Sequence, residues 1–171
     1  MKFYNREQEL NLLDRIDEQS MRTAQMTFVI GRRRIGKTSL LVKAYDNKPF
    51  LYLFVAKKNE ALLCNEYVEE IRRKLAIEIF GEPKARHFTL VIDEFQEFLS
   101  VNPSVYSEMQ HIWDSKKADS KLNLILCGSV YTMMKRIFEH SKEPLFGRAT
   151  QRTYVKPFDI KYQDIKINVG G

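Results

Sequence analysis

Gly31-Arg32-Arg33-Arg34-Ile35-Gly36-Lys37-Thr38 is the stretch on which the reading of this chain turns, because it matches the pattern GxxxxGK[ST] at every fixed position. It is preceded by Met26-Thr-Phe-Val-Ile30, a short β-branched and aromatic run that reads as a buried strand. Behind it, from Lys37 through Leu40, Leu41 and Ala44, the spacing predicts a helix that stops near Asn47 and Pro49. Strand, loop and helix in that order form a phosphate cradle. The glycines let the backbone curl so that N–H groups from Gly31 to Ser39 point inward, and the helix adds its positive N-terminal end. Lys37 is then expected to reach the β- and γ-phosphates of a nucleotide, and the Thr38 hydroxyl to ligate Mg²⁺. The side chains of Arg32, Arg33 and Arg34 occupy the variable positions and need not face the phosphates; a solvated or partner-facing surface is their simplest reading.

Working outward, apolar strands alternate with helical patterns. Asn5 and Gln8 make a capping pair for a helix carrying Leu10, Leu13 and Ile16. Phe50–Val55 reads as a second strand, and residues 60–80 as a helix with Cys64, Tyr67, Val68, Ile71, Leu75 and Ile79 on one face, ended by Gly81 and Pro83. Phe88–Ile92 and Leu122–Cys127 are further strands, each followed by a helix (from Asn102-Pro103-Ser104, and over 130–139), and residues 151–156 are a fifth. Near-continuous apolar strands separated by helices imply an α/β fold with a parallel sheet covered on both faces.

Thr89-Leu-Val-Ile-Asp93-Glu94 sets two carboxylates at the C-terminal end of a strand, the edge where open α/β sheets bind ligands. Lying 56 residues after Lys37, Asp93 is expected in the Mg²⁺ shell and Glu94 as the base that orients and deprotonates an attacking water. Ser129 follows the fourth strand, where it either meets the γ-phosphate or the water or caps the next helix. Arg148, before the fifth strand, is either a charge-stabilising arginine, in cis or on a neighbouring subunit, or a surface residue.

The 171 residues carry a net charge of +6 with 44% hydrophobic and 29% charged residues, as one globular domain does. No apolar run is long enough to span a membrane, and MKFYNREQEL lacks the apolar core of a secretory signal. Cys64 and Cys127, far apart and without CxxC spacing, read as small core residues of a reduced, cytoplasmic protein. His87, His111 and His140 lack metal-ligand spacing, so no zinc site is expected. Four of the positive charges fall between Arg32 and Lys37, so the excess fits a nucleotide's phosphates better than a nucleic-acid groove; no recognition-helix, RRM or zinc-finger pattern accompanies it.

Phe3–Leu10, Gly31–Thr38, Val91-Ile-Asp-Glu-Phe-Gln96, Leu126-Cys-Gly-Ser129 and Pro144-Leu-Phe-Gly-Arg148 together resemble the archaeal-type ATPases of the AAA+/STAND branch of P-loop NTPases. The resemblance implies a three-layer α/β/α sandwich on a mostly parallel five-stranded sheet of order 5-1-4-3-2, with Gly31–Thr38 as Walker A and the Asp93-Glu94 strand as Walker B. It implies ATP and Mg²⁺ as ligands, an adenine contact near Asn5 and Arg6, a sensor role for Ser129 and an arginine role for Arg148. The expected organisation is an ATPase core over residues 1–158 and a tail over 159–171 in the place of a truncated lid. The helical lid, winged helix and C-terminal domain usual in the family, through which DNA would be engaged, are not found in the sequence.

The leading expectation is Mg²⁺-dependent hydrolysis of ATP to ADP and phosphate, coupled to a conformational or regulatory output, with a homo-oligomer or protein partner as the further participant. The alternative is an ATP-binding module that holds a conformation or an oligomer without hydrolysis. A GTPase is disfavoured, since Asn47-Lys-Pro-Phe50 has Phe where a guanine-reading motif needs Asp.

Overall fold

The computed structural model describes residues 6–78 and 87–157, with the side chains of 72–78 excepted. The order along the chain is α1 (Glu7–Ser20), β1 (Gln25–Ile30), α2 (Lys37–Tyr45), β2 (Phe50–Phe54), α3 (Glu60–Glu78), β3 (Phe88–Asp93), a single 3-10 turn (Phe95–Glu97), α4 (Phe98–Val101), α5 (Ser104–Lys116), β4 (Leu122–Gly128), α6 (Tyr131–Glu139) and β5 (Gln151–Tyr154). The strands form one sheet ordered β2-β3-β4-β1-β5, the predicted 5-1-4-3-2 read from the other edge, and every neighbouring pair is parallel.

The pleat sorts each strand onto two cores. Met26, Phe28 and Ile30 of β1 and Leu124 and Leu126 of β4 face α3 to α6, where Leu63, Trp113, Met134, Ile137 and Phe138 meet them. Val29, Ile125 and Cys127, one residue out of phase, face Leu13 of α1 and Leu40, Leu41 and Tyr45 of α2. Burial on both faces explains why the strands read as unbroken apolar runs. Thr27, Thr89 and Asn123 are polar exceptions, buried in phase with the α1/α2 face.

Several expectations change. Asn5, residues 79–86 and the tail from 158 lie outside the described residues, so the Asn5 cap, the Gly81-Pro83 stop and the whole 159–171 segment are not tested; α1 has Arg6 at its N-cap. Cys64 is exposed rather than core, because the buried stripe of α3 runs through Leu63 instead. Ser129 does not cap α6: Val130 takes the N-cap position, with no side-chain cap. The 3-10 turn and α4 have no counterpart in the sequence reading; they fold Phe95 and Phe98 under the sheet edge, where Phe95 packs edge-on against Tyr106 with ring centroids 5.2 Å apart.

Candidate functional site

β1 delivers the loop Gly31–Gly36 to the C-terminal edge of the sheet, and α2 begins at Lys37. Two residues in it depart from ordinary backbone: Gly36 (φ 85°) and Arg34 (φ 64°) are left-handed. Gly31 is constrained by space, since a Cβ there would lie 2.5 Å from Ile35 Cδ1 and 2.8 Å from the Val155 carbonyl. Lys37 is buried within the loop, its Nζ donating to the carbonyls of Gly31 (2.7 Å) and Arg32 (3.0 Å). An ammonium so held sits at the centre of the turn that its own backbone makes.

β3 brings the carboxylates to the same edge. The Thr38 hydroxyl donates to Asp93 Oδ2 at 3.1 Å, so the two expected Mg²⁺ ligands are together. Asp93 Oδ1 accepts the Glu94 N–H at 2.8 Å, which fixes the carboxylate's plane. Tyr52 of β2 also donates its hydroxyl to Asp93 Oδ2; burial first, and then this carboxylate, push the phenol's pKa well above its ordinary value. No group of three or more His, Cys, Asp or Glu gathers among the described residues. One hydroxyl and one carboxylate suit Mg²⁺, which keeps several waters and takes its remaining ligands from substrate phosphates.

Glu94 is left-handed (φ 53°), an uncommon state for a non-glycine residue and one that stores strain at a functional position. Its Oε2 accepts the Ser129 hydroxyl at 2.7 Å and the Gln96 amide at 2.5 Å. Among the described residues its Oε1 accepts no hydrogen bond, so one carboxylate oxygen is anchored and the other presented. Gln96 is fully buried, and its own Oε1 has no partner. Gly128 makes room for it: a Cβ there would stand 2.5 Å from that Oε1 and closer still to Met134 Sδ. Arg33 Nε donates to the Ser129 hydroxyl at 3.5 Å, closing a chain from the loop to Glu94.

Lys37, Thr38, Asp93, Glu94 and Ser129 thus converge on one edge. Arg148 does not. It precedes β5, whose first residues align with Met26 and Thr27 at the start of β1, so it lies at the opposite edge, roughly 13 Å away at about 3.3 Å per residue. Its guanidinium holds Asp114 at 2.7 to 3.1 Å and the carbonyls of Pro144 and Phe146. Of the alternatives for Arg148, the topology argues against the cis one and leaves the neighbouring subunit and the plain surface. Arg6 donates to the carbonyls of Ile35 (3.1 Å) and Lys156 (2.8 Å) and to Glu9 (2.7 Å), so it braces the loop. Arg32 and Arg34 are exposed on the loop, and Ser39 on the first turn of α2. Beside it opens a cavity of about 640 Å³, with Gly31, Arg32, Ser129, Tyr131, Tyr154 and Lys156 in its wall.

Tyr52, Gln96 and Gly128 were missed by sequence reasoning. Gln96 directly follows the Asp-Glu pair by two residues and was within reach; Tyr52 sits in an apolar strand and carries no local signal.

With this geometry in view, residues 23–161 match the family model AAA_14, described as an AAA domain. The chain belongs to this AAA-domain family of P-loop ATPases. The AAA domain is similar to the uncharacterized protein MJECL04 of Methanocaldococcus jannaschii, with 30% identity over 94% of this chain and 37% of that one. Its fold is shared by the Walker-type ATPase PABY2304 of Pyrococcus abyssi (TM-score 0.70, 20% identity, 92% of this chain and 55% of that one). It is shared too by Cdc6p from Pyrobaculum aerophilum (TM-score 0.60, 18% identity, 92% and 46%). The domain therefore spans about a third to a half of the length of these proteins. Membership makes it an ATP-binding module, and among the described residues no helix is long and apolar enough to cross a membrane.

Proposed function

We propose that this AAA domain hydrolyses ATP to ADP and inorganic phosphate with Mg²⁺ bound, and that the turnover drives a conformational or regulatory output in the protein that carries it. The observation that carries hydrolysis beyond binding is Glu94: one carboxylate oxygen tied to Ser129 and Gln96, the other free among the described residues, at the strand end beside the loop.

Each residue then has a task. The N–H groups of Gly31–Ser39 and the α2 N-terminus cradle the phosphates, and Lys37 exchanges loop carbonyls for β- and γ-phosphate oxygens. Thr38 and Asp93 would hold Mg²⁺, which neutralises phosphate charge. Glu94 Oε1 accepts a proton from water as the water oxygen attacks the γ-phosphorus. The bond from phosphorus to the β–γ bridging oxygen breaks, its electron pair leaves with ADP, and the proton passes on to solvent.

The test compares wild type, Glu94→Gln and Lys37→Ala. Glu94→Gln is expected to bind ATP as wild type does and to turn over about a hundredfold or more slowly. Lys37→Ala is expected to lose about a hundredfold in ATP affinity by calorimetry, the cost of a charge-assisted contact to phosphate. Equal steady-state rates for wild type and Glu94→Gln would leave a non-hydrolysing ATP-binding module.

A further inference from the structure

The transition state of phosphoryl transfer gathers charge on the γ-phosphoryl oxygens, and Arg148, for which a cis contact was one of the alternatives, is at the wrong edge of the sheet. The phosphate loop carries a better placed guanidinium. Arg33 is the third residue of the loop, and its Nε reaches the hydroxyl of Ser129, which in turn donates to Glu94. A guanidinium has five N–H donors in a planar fork. In Arg33 only Nε is engaged among the described residues, which leaves the four N–H groups of the two terminal nitrogens free. Its side chain is exposed, so it is able to swing. Arg148, by contrast, spends its fork on Asp114 and two carbonyls.

The backbone supports this aim. Arg34, the next residue, is left-handed at φ 64°, a state that costs a non-glycine residue free energy and that turns the loop at this point. Ser129 directly follows β4, which lies between β1 and β3 in the sheet, so a guanidinium over Ser129 stands between the loop and the base. Lys37, Glu94 and Ser129 lie at the same edge, and Arg33 joins them through Ser129.

We infer that Arg33 is a catalytic residue, a built-in arginine that binds the γ-phosphoryl oxygens of ATP from within the same chain as their charge develops. This deepens the hydrolytic reading and rests on it. Water attacks the γ-phosphorus, the bond to the bridging oxygen breaks with its electrons going to ADP, and Glu94 takes the proton; Arg33 forms and breaks no covalent bond. Its contribution is electrostatic and is larger in the transition state than in the bound substrate.

The experiment measures three quantities for wild type, Arg33→Ala, Arg33→Lys and Glu94→Gln: ATP affinity, single-turnover hydrolysis, and affinity for ADP with aluminium fluoride, a mimic of the planar phosphoryl group. Arg33→Ala is expected to bind ATP within about threefold of wild type and to hydrolyse it about a thousandfold more slowly. It should also lose the fluoroaluminate-dependent gain in ADP affinity. Arg33→Lys should recover only part of both, because an ammonium lacks the fork. Mixing Arg33→Ala with Lys37→Ala should restore no activity, since the arginine and the lysine act on one nucleotide. Restoration on mixing would overturn the inference, for it would show Arg33 acting on the nucleotide of a neighbouring copy. Wild-type rates in Arg33→Ala, or an equal loss of ATP and fluoroaluminate binding, would also overturn it. If Glu94→Gln hydrolyses ATP as fast as wild type, the hydrolytic reading itself falls and this inference with it; if only Arg33→Ala is fast, the inference alone falls.

Discussion

The two edges of the sheet are built from the same strands and treat polar groups in opposite ways. At the N-terminal edge, Asp17 is buried and saturated: its carboxylate accepts Lys48 Nζ (2.8 Å), the Thr89 hydroxyl (3.2 Å) and Asn123 Nδ2 (3.4 Å), and lies 3.2 Å from His87 Nε2. Asn123 also donates to the Tyr45 hydroxyl at 3.1 Å, and burial lifts that phenol's pKa far above its ordinary value. Burial works against the charge of Lys48, yet hydrogen bonds to Asp14 and Asp17 outweigh it and raise its pKa. Ser20 and Asp17 both address the same nitrogen of His87, so this serine, histidine and aspartate are no proton relay. At the C-terminal edge, among the described residues, Glu94 has a free oxygen and Arg33 free donors, and two non-glycine residues, Arg34 and Glu94, sit in left-handed backbone. A carboxylate whose neighbours all bond to it fixes a structure, even with the buried Asn123 Oδ1 beside it unpartnered among the described residues, whereas spare bonding capacity at a strained backbone is what a ligand can use.

That contrast predicts a ranking of effects on stability and activity. Asp17→Ala is the most severe for folding, because it strips Thr89 and Asn123 of an acceptor and leaves Lys48 with one carboxylate instead of two. A loss of about 3 kcal/mol in urea unfolding is expected, with the ATP affinity of the folded fraction intact. A change below about 1 kcal/mol would break the contrast, for it would make the N-terminal cluster as dispensable as a surface one. Gly128→Ala should cost about 2 kcal/mol, since its methyl collides with Met134 and Gln96, and should slow hydrolysis as well by displacing the Glu94 anchor.

Gln96→Leu sharpens the comparison from the other side. It removes a donor to Glu94 and an orphaned buried oxygen of similar shape, so unfolding should shift by less than about 1 kcal/mol while turnover falls about tenfold to a hundredfold at unchanged ATP affinity. In a Glu94→Gln background the same substitution should add little, because it acts through that carboxylate. The smallest effect belongs to Arg148→Ala. The Arg148 hydrogen bond holds the carboxyl of Asp114 below its ordinary value of 3.8, so the pair adds stability above that value and loses it as the pH falls through the lowered one. On an exposed pair this amounts to about 0.5 kcal/mol at neutral pH, measured as a difference in unfolding that shrinks in acid and leaves only the loop-carbonyl contacts.

Most of the architecture was legible because it rests on local signals. Short apolar runs marked the strands β1 to β4, three of them beside a glycine or proline, and a phosphate loop is recognisable because its glycines and lysine serve the backbone turn itself. What was not legible depends on contacts distant in sequence. Nothing near Tyr52 says that its hydroxyl meets Asp93 across to the next strand. The turn over Phe95–Glu97 and the one-turn α4 are too short for periodicity to show. Arg148 is a different case, for the information was present and unused. In a parallel sheet a residue that precedes a strand stands at the edge opposite to one that follows a strand, so a residue before β5 could not share the edge of the loop after β1. Asn123, likewise, stood in plain view inside an apolar strand, and a buried amide there needed partners.

Arg6 gives the loop a mechanical connection. A single guanidinium grips the carbonyl of Ile35, one residue before the glycine that starts α2, and the carbonyl of Lys156, two residues beyond β5. Those two points are 121 residues apart in the chain and share one rigid joint. A displacement of the loop backbone at Ile35 therefore alters the geometry at the place where the polypeptide leaves the sheet. The core thus has a lever built into its first described residue, and the arm of that lever is the exit of the chain.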